Sequence, residues 1–219
     1  IAGIFGAAGQ SCVAGSRLYL HHDIADEFLV RMTAMAKAIR IGDPLADETQ
    51  MGPVCTPGQL EHIKAEVAHA QSEGGKVLTG GKQPEGMEAS LFYEPTIIDC
   101  PSQNMRIVDT ELFGPVLCVQ RFRTEDEVLA LANDSEHGLA AGIFTQNSAR
   151  SLRMASAVRA GIVWVNTYRV VSPIAEFGGV KGSGYGRESG FQAMYDYTRS
   201  KTIWINTSDA PIANPFVMR

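Results

Sequence analysis

A chain of 219 residues, 45% apolar and 20% charged, has the composition of a folded protein and is long enough for one large domain or two small ones. Its formal charge of -5 gives no basic footprint for nucleic acid, and no apolar run reads as a membrane span or a signal peptide. The four cysteines, at 12, 55, 100 and 118, form neither CxxC pairs nor a zinc-spaced cluster, so we expect no metal site and a reducing, cytoplasmic setting.

In chain order, a cysteine-bearing turn at 9–15 leads into a β-rich run at 17–20. Residues 23–40 follow as an amphipathic helix, with Asp23 as its cap and Ile24, Phe28, Leu29, Met32, Ala36 and Ile39 on one face. Gly42-Asp43-Pro44 stops it. A second helix starts at Thr56-Pro57, with Gln59 three residues after the cap, and turns Leu60, Ile63, Val67 and Ala70 inward until Gly74-Gly75. A third begins at Thr124, with Glu127 completing a capping box, and buries Val128, Leu131 and Ala132. A fourth spans 148–159 through Leu152, Ala155 and Val158.

Between these helices lie short strand-like runs at 76–79, 91–98, 115–122, 140–145, 162–166 and 202–206. Two of them, at 115–119 and 161–165, are apolar on both faces, which suits strands covered on both sides. The alternation predicts an α/β fold, a mainly parallel sheet with helices on both faces. The stretch 172–190 differs: it holds six glycines, few apolar anchors and mixed charge, and a loop of that length is usually functional.

Four features bear on chemistry. Cys12 stands among Gly9, Ser11 and Gly15, where backbone could approach a substrate and peptide N–H groups could hold an oxyanion. A free thiol is only about 3% thiolate at pH 7, so reactivity needs such a setting; Cys55, Cys100 and Cys118 lack it. The five histidines, 21, 22, 62, 69 and 137, read as solvated surface groups and give little support to a cysteine–histidine hydrolase. The stretch 177–190 fits no nucleotide fingerprint, because Arg187 and Ser189 stand where a third glycine would fall; still, Lys181, Arg187 and Glu188 are set among its glycines. Finally, Glu111 and Phe113 place a carboxylate and an aromatic ring just ahead of an apolar strand, an arrangement suited to a flat polar ligand.

Together, Gly-Gln-Ser-Cys-Val-Ala-Gly-Ser-Arg at 9–17, Glu-Leu-Phe-Gly-Pro-Val at 111–116, Trp-Val-Asn at 164–166 and Phe-Gly-Gly-Val-Lys-Gly-Ser-Gly-Tyr-Gly-Arg-Glu at 177–188 closely resemble the NAD(P)-dependent aldehyde dehydrogenase family. The order and spacing match, as do Gly-Asp-Pro at 42–44, Met-Gly-Pro-Val at 51–54 and the closing run at 197–206. The resemblance implies that Cys12 is the nucleophile, which forms a thiohemiacetal with an aldehyde and then a thioester. It implies that Glu111 holds the nicotinamide ribose and Phe113 packs near the nicotinamide ring. Asn166 matches a structural asparagine below the nucleophile, Val171 a variable position of the substrate pocket, Phe177 a wall of the substrate funnel, and Glu188 a member of a proton relay.

Two departures stand beside these matches. Glu176 occupies a position where many members carry proline, making the wall beside Phe177 more polar. The family's general-base glutamate, its side-chain oxyanion donor and its dinucleotide-binding domain precede the cysteine, whereas here the chain opens at Ile1. The resemblance therefore implies a catalytic domain at 1–198, shortened on its N-terminal side, and a strand and tail at 199–219 that serve homo-oligomerisation. NAD or NADP is the implied cofactor and a small aldehyde the implied substrate, with the isolated chain inactive and its 172–190 loop loosely held. An acylating enzyme that passes the thioester to coenzyme A, and a non-catalytic folding or oligomerisation fragment, are the alternatives.

Overall fold

The computed structural model describes residues 1–211 and 214–217. Its elements are, in order, α1 (Ala2–Phe5), β1 (Arg17–His21), α2 (His22–Lys37), α3 (Pro57–Ser72), β2 (Lys76–Thr79), β3 (Thr96–Asp99), α4 (Arg106–Asp109), β4 (Val116–Phe122), α5 (Glu125–Asn133), β5 (Ala140–Ile143), α6 (Ser148–Ala157) and β6 (Ile162–Val165), with short 3₁₀ turns between some of them.

A four-stranded sheet in the order β1-β4-β3-β2 forms the centre. β1, β4 and β3 run parallel, with Arg17 opposite Cys118 and Thr96 opposite Val116, and β2 closes the edge antiparallel to β3. Along β4, Val116 and Cys118 join one apolar cluster with Leu60, Ile63, Val67 and Ala70 of α3. Leu117 and Val119 join the other, with Ala25, Leu29, Met32 and Ala36 of α2. Both clusters exclude water, so the four successive positions 116–119 have to be apolar to be stable there. That is the α/β arrangement the alternating pattern predicts.

Local chemistry sets the ends of these elements. Thr56 and Thr124 accept hydrogen bonds from the backbone N–H of Gln59 (3.2 Å) and Glu127 (3.1 Å), each satisfying an otherwise orphaned helical donor. β3 begins only at Thr96, not at 91, because Pro95 has no N–H to give a ladder; the Thr96 N–H is the first to reach across, to the Pro115 carbonyl at 2.8 Å. The cap of α2 is His21, whose Nδ1 accepts from the Asp23 N–H at 3.3 Å, and Asp23 itself lies inside the first turn. The core stripe of α2 is Ala25, Leu29, Met32 and Ala36; Ile24 and Phe28 face solvent. The small Ala25 and Ala36 let the helix approach the sheet closely.

The remaining strands do not extend this sheet. β5 and β6 pair parallel as a separate two-stranded sheet beside α5 and α6. Of the second sheet only Trp164 is buried; Val128, Leu131 and Ala132 of α5 are half-buried and Leu152 of α6 is exposed, unlike the buried positions their periodicity predicts. Residues 202–206 form no strand: Ile203, Trp204 and Ile205 stand in solvent and pair with no described strand. Within the expected tail at 199–219, Ile212, Ala213, Met218 and Arg219 lie outside the described residues.

One charged group lies inside the main core. Glu66 of α3 is 1% exposed, and Arg106 at the start of α4 donates to it through both Nε (2.9 Å) and Nη2. Removing the arginine leaves a buried carboxylate without its partner. Because Arg106 is itself largely exposed, we expect Arg106→Ala to destabilise by about 2–3 kcal/mol, toward the low end for a broken buried pair. Urea unfolding checks this, and Glu66→Gln in the Arg106→Ala background should recover part of the loss.

Candidate functional site

After α1 the backbone turns left-handed at three successive residues, Ala7 (φ 55°), Ala8 (φ 53°) and Gly9 (φ 71°). Left-handed alanines cost energy and persist only where their surroundings hold them. Here the Gln10 side chain is the clamp. Its Nε2 donates to the Pro53 carbonyl at 3.2 Å and its Oε1 accepts from the Cys55 N–H at 2.8 Å. Gly9 lies so close to the next turn that a Cβ there would overlap the Gly114 carbonyl oxygen. Beyond it, Val13 is buried while Cys12 remains exposed. The Val13 carbonyl accepts from the Tyr168 hydroxyl at 3.1 Å, and burial raises the pKa of that hydroxyl, which keeps it a donor.

The turn that meets Gly9 is the one holding Glu111 and Phe113. Leu112 between them is buried, and its carbonyl accepts from Gln59 Nε2, so the two flanking side chains project outward; Phe113 takes φ 50° to do so. The Cys12 turn leads into β1 and the Glu111 turn into β4. Since β1 and β4 are parallel neighbours, both turns gather at the N-terminal end of the same sheet.

The other candidate residues form a second group. Phe177 and Glu188 exchange backbone hydrogen bonds at 2.7 Å each way, closing the glycine-rich stretch into a hairpin-like loop. Contrary to the loose attachment its glycines suggest, this loop is firmly tied to its own chain. Lys181 Nζ donates to the Asn133 and Ser135 carbonyls (2.9 and 3.0 Å), Gly138 N–H to Ser183 Oγ (3.0 Å), and Arg187 Nη1 to the Gly179 carbonyl (2.7 Å). Gly161 admits the Gly178 carbonyl where any side chain would collide. Glu188 and Val171 are exposed, and Phe177 is half-buried. Asn166, at φ 55°, bridges the ends of β5 and β6: its Oδ1 accepts from the Thr145 N–H and its Nδ2 donates to the Thr145 carbonyl, both at 2.9 Å. Tyr168, two residues on, carries this unit to the Cys12 turn.

Among the described residues, no hydrogen bond joins Cys12 or Glu111 to Phe177 or Glu188. Besides Tyr168, a link runs through Asp109, whose carboxylate accepts from Ser135 Oγ at 2.5 Å and whose carbonyl meets His137 Nε2 at 3.1 Å. His137 is thus a structural tie and not a solvated surface group. Sequence reading takes Gln59 only as a helix-cap partner and gives Gln10, Tyr168 and Asp109 no role, yet all four position the site without belonging to its exposed face. Only Gln10 carried a signal, as a long amide in an otherwise small-residue turn. Cys55 is exposed like Cys12, whereas Cys100 and Cys118 are buried; the hydrogen bond from Cys100 and burial together push the Cys118 thiol up, so it stays protonated. Among the described residues no group of three or more His, Cys, Asp or Glu could hold a metal, and no helix is long and apolar enough to cross a membrane.

Comparison with known proteins gives a consistent result. A family model described as "Aldehyde dehydrogenase family" matches residues 1–203. The (Z)-2-((N-methylformamido)methylene)-5-hydroxybutyrolactone dehydrogenase of Acinetobacter baylyi is 50% identical over 220 residues, covering 100% of this chain and 45% of the relative. A crystal structure of a putative aldehyde dehydrogenase from Burkholderia cenocepacia superimposes with TM-score 0.94 at 44% identity, over 97% of this chain and 44% of that one. PnpE, from Pseudomonas sp. WBC-3, was solved in complex with nicotinamide adenine dinucleotide and gives TM-score 0.93 at 48% identity, over 98% of this chain and 44% of that one. The chain therefore spans less than half the length of the relatives it matches.

Two expectations follow from the site's geometry. Gly9→Ala adds a Cβ against Gly114 at a positive φ, and should cost about 2 kcal/mol or more, read as a lowered midpoint in urea. Brief iodoacetamide treatment of the folded chain, followed by peptide mapping, should label Cys12 and Cys55 and spare Cys100 and Cys118 until denaturant is added.

Proposed function

The chain belongs to the aldehyde dehydrogenase family, and on that premise we propose that it carries the nucleophilic part of an enzyme that oxidises a small aldehyde to a carboxylic acid. The observation that carries this reading is the exposed Cys12 on a strained turn locked by Gln10 and by the Gly9–Gly114 approach. A thiol needed only for packing would be buried, as Cys118 is.

Under this reading the Cys12 thiolate adds to the aldehyde carbon, and the peptide N–H groups of its turn hold the oxygen as negative charge develops. The outward pair Glu111 and Phe113 fits a nicotinamide dinucleotide: a carboxylate for ribose hydroxyls beside an exposed ring for a flat heterocycle. When bound, NAD or NADP supplies the acceptor for the hydride. The thioester that remains on Cys12 is then cleaved by water, which regenerates the thiol and releases the acid. Phe177 lines the aldehyde's approach and Val171 its variable pocket. Glu188, held opposite Phe177, relays a proton, and Asn166 braces the strand ends beside the site.

We further assign residues 1–198 to the catalytic domain and 199–219 to a self-association segment. Exposed Ile203, Trp204 and Ile205 support that assignment, since such apolar groups gain by being covered in a homo-oligomer. Free thiols throughout suit a cytoplasmic setting.

A chimera tests the catalytic assignment: this chain joined to the part of the Acinetobacter baylyi relative that it does not cover. With that relative's aldehyde substrate and NAD we expect reduced nicotinamide to form, and Cys12→Ala to lower the rate about 10³-fold or more. The 219-residue chain alone should form none. Full activity in the Cys12→Ala chimera would overturn the reading.

A further inference from the structure

Arg169 stands beside the site, and no step of the proposed chemistry uses it. Its backbone is left-handed at φ 62°, a conformation that costs energy for a residue with a Cβ and persists only where the surroundings impose it. Both neighbours supply that constraint. The Tyr168 hydroxyl donates to the Val13 carbonyl at 3.1 Å, one residue past Cys12, and the Val170 carbonyl accepts from Trp164 Nε1 at 2.8 Å. The direction of the residue between them is thus set by the fold.

That direction is toward the segment that leads into Cys12. Arg169 Nη1 donates to the Ala2 carbonyl at 3.3 Å, and a Cβ on Gly6 would stand 3.0 Å from the same nitrogen. A Cβ on Gly3 or Gly15 would meet Tyr168 in the same way, at 3.1 and 3.2 Å. Tyr168 and Arg169 therefore lie together along α1 and the Cys12 turn. Val170 and Val171, which follow them, are exposed.

The guanidinium has no counter-charge. Among the described residues its single hydrogen bond is the long one to Ala2, and no carboxylate forms an ion pair with it. The other cations of 166–190 are saturated by backbone. Lys181 Nζ donates to the Asn133 and Ser135 carbonyls, and Arg187 Nη1 to those of Gly179, Tyr185 and Gly186. Glu176, the carboxylate nearest in sequence, leans instead over Gly190, where a Cβ would stand 2.8 Å from its Cγ. Arg169 is only half-buried, so its planar fork of N–H donors keeps an open side, and that fork matches a carboxylate.

We propose that Arg169 is a specificity-determining residue that receives a carboxylate at the far end of the aldehyde attacked by Cys12. The inference rests on the reading of Cys12 as nucleophile and Val171 as a pocket residue, and it narrows the substrate class to short aldehydes bearing an acid group.

Two reagents that differ by a carboxylate test this on the chain itself, without cofactor or turnover. Maleimidopropanoate and N-ethylmaleimide alkylate thiols by the same addition, and peptide mapping reads their rates separately at the exposed Cys12 and Cys55. Relative to N-ethylmaleimide, maleimidopropanoate should favour Cys12 over Cys55 about threefold or more, and rising salt should erase the preference. Arg169→Gln, which keeps a donor but not the charge, should abolish it; Arg169→Lys should keep part of it. Because alkylation needs no hydride acceptor, its outcome is separate from that of the chimera: a reactive Cys12 without the preference removes the carboxylate site and leaves aldehyde oxidation in place. An equal or reversed preference at the two thiols, or a preference that survives in both Arg169→Gln and Arg169→Ala, would overturn the proposal.

Discussion

Everything at the candidate site depends on one close approach of backbone to backbone, Gly9 against the Gly114 carbonyl. Only a residue without a Cβ fits there, and only a left-handed backbone brings it there. That approach fixes the Cys12 turn relative to the turn of Glu111 and Phe113, and the parallel pairing of β1 with β4 fixes where both turns begin. Gln10 and Gln59 then hold the two turns by donating to carbonyls that helices and strands leave open. The exposed groups need few contacts of their own, because the rigidity is supplied beneath them.

The main sheet was legible because its constraints are local or two-sided. Thr56 and Thr124 cap their helices as their spacing with Gln59 and Glu127 predicts, and β4 is apolar at successive positions because both its faces are covered. The second unit was harder to read for a physical reason. Periodicity marks which side chains avoid water, not what covers them. Leu152, Phe144, Ile203 and Trp204 carry the pattern of buried residues yet stand exposed in this chain. Ile24 and Phe28 mislead in the same way, one position away from the stripe that α2 actually buries.

The site divides along a similar line. Cys12, Glu111, Phe113, Phe177 and Glu188 were visible as unusual residues in small-residue turns, and the structure places the first three together and pairs the last two. Apart from Gln10, their supports were not visible. Tyr168 and Asp109 act across separations that no window of sequence spans, and a hydroxyl or carboxylate bonded to a distant partner leaves no local pattern. The glycine-rich loop misled in the opposite sense. Gly161 and Gly178 suggest freedom, but the absence of side chains is what allows the backbones to lock.

The pairing of β1 with β4 also has a kinetic side. It joins strands about a hundred positions apart, and contacts of such long range form late because closing the intervening chain is entropically costly. The left-handed alanines before Cys12 gain their support only once that ladder and the Gly114 turn are in place. A chain still folding therefore carries the exposed Cys12 thiol on a segment without fixed geometry. Whatever reactivity the turn confers arrives with the last long-range contact, so the completed sheet acts as the checkpoint before the exposed thiol is set in place.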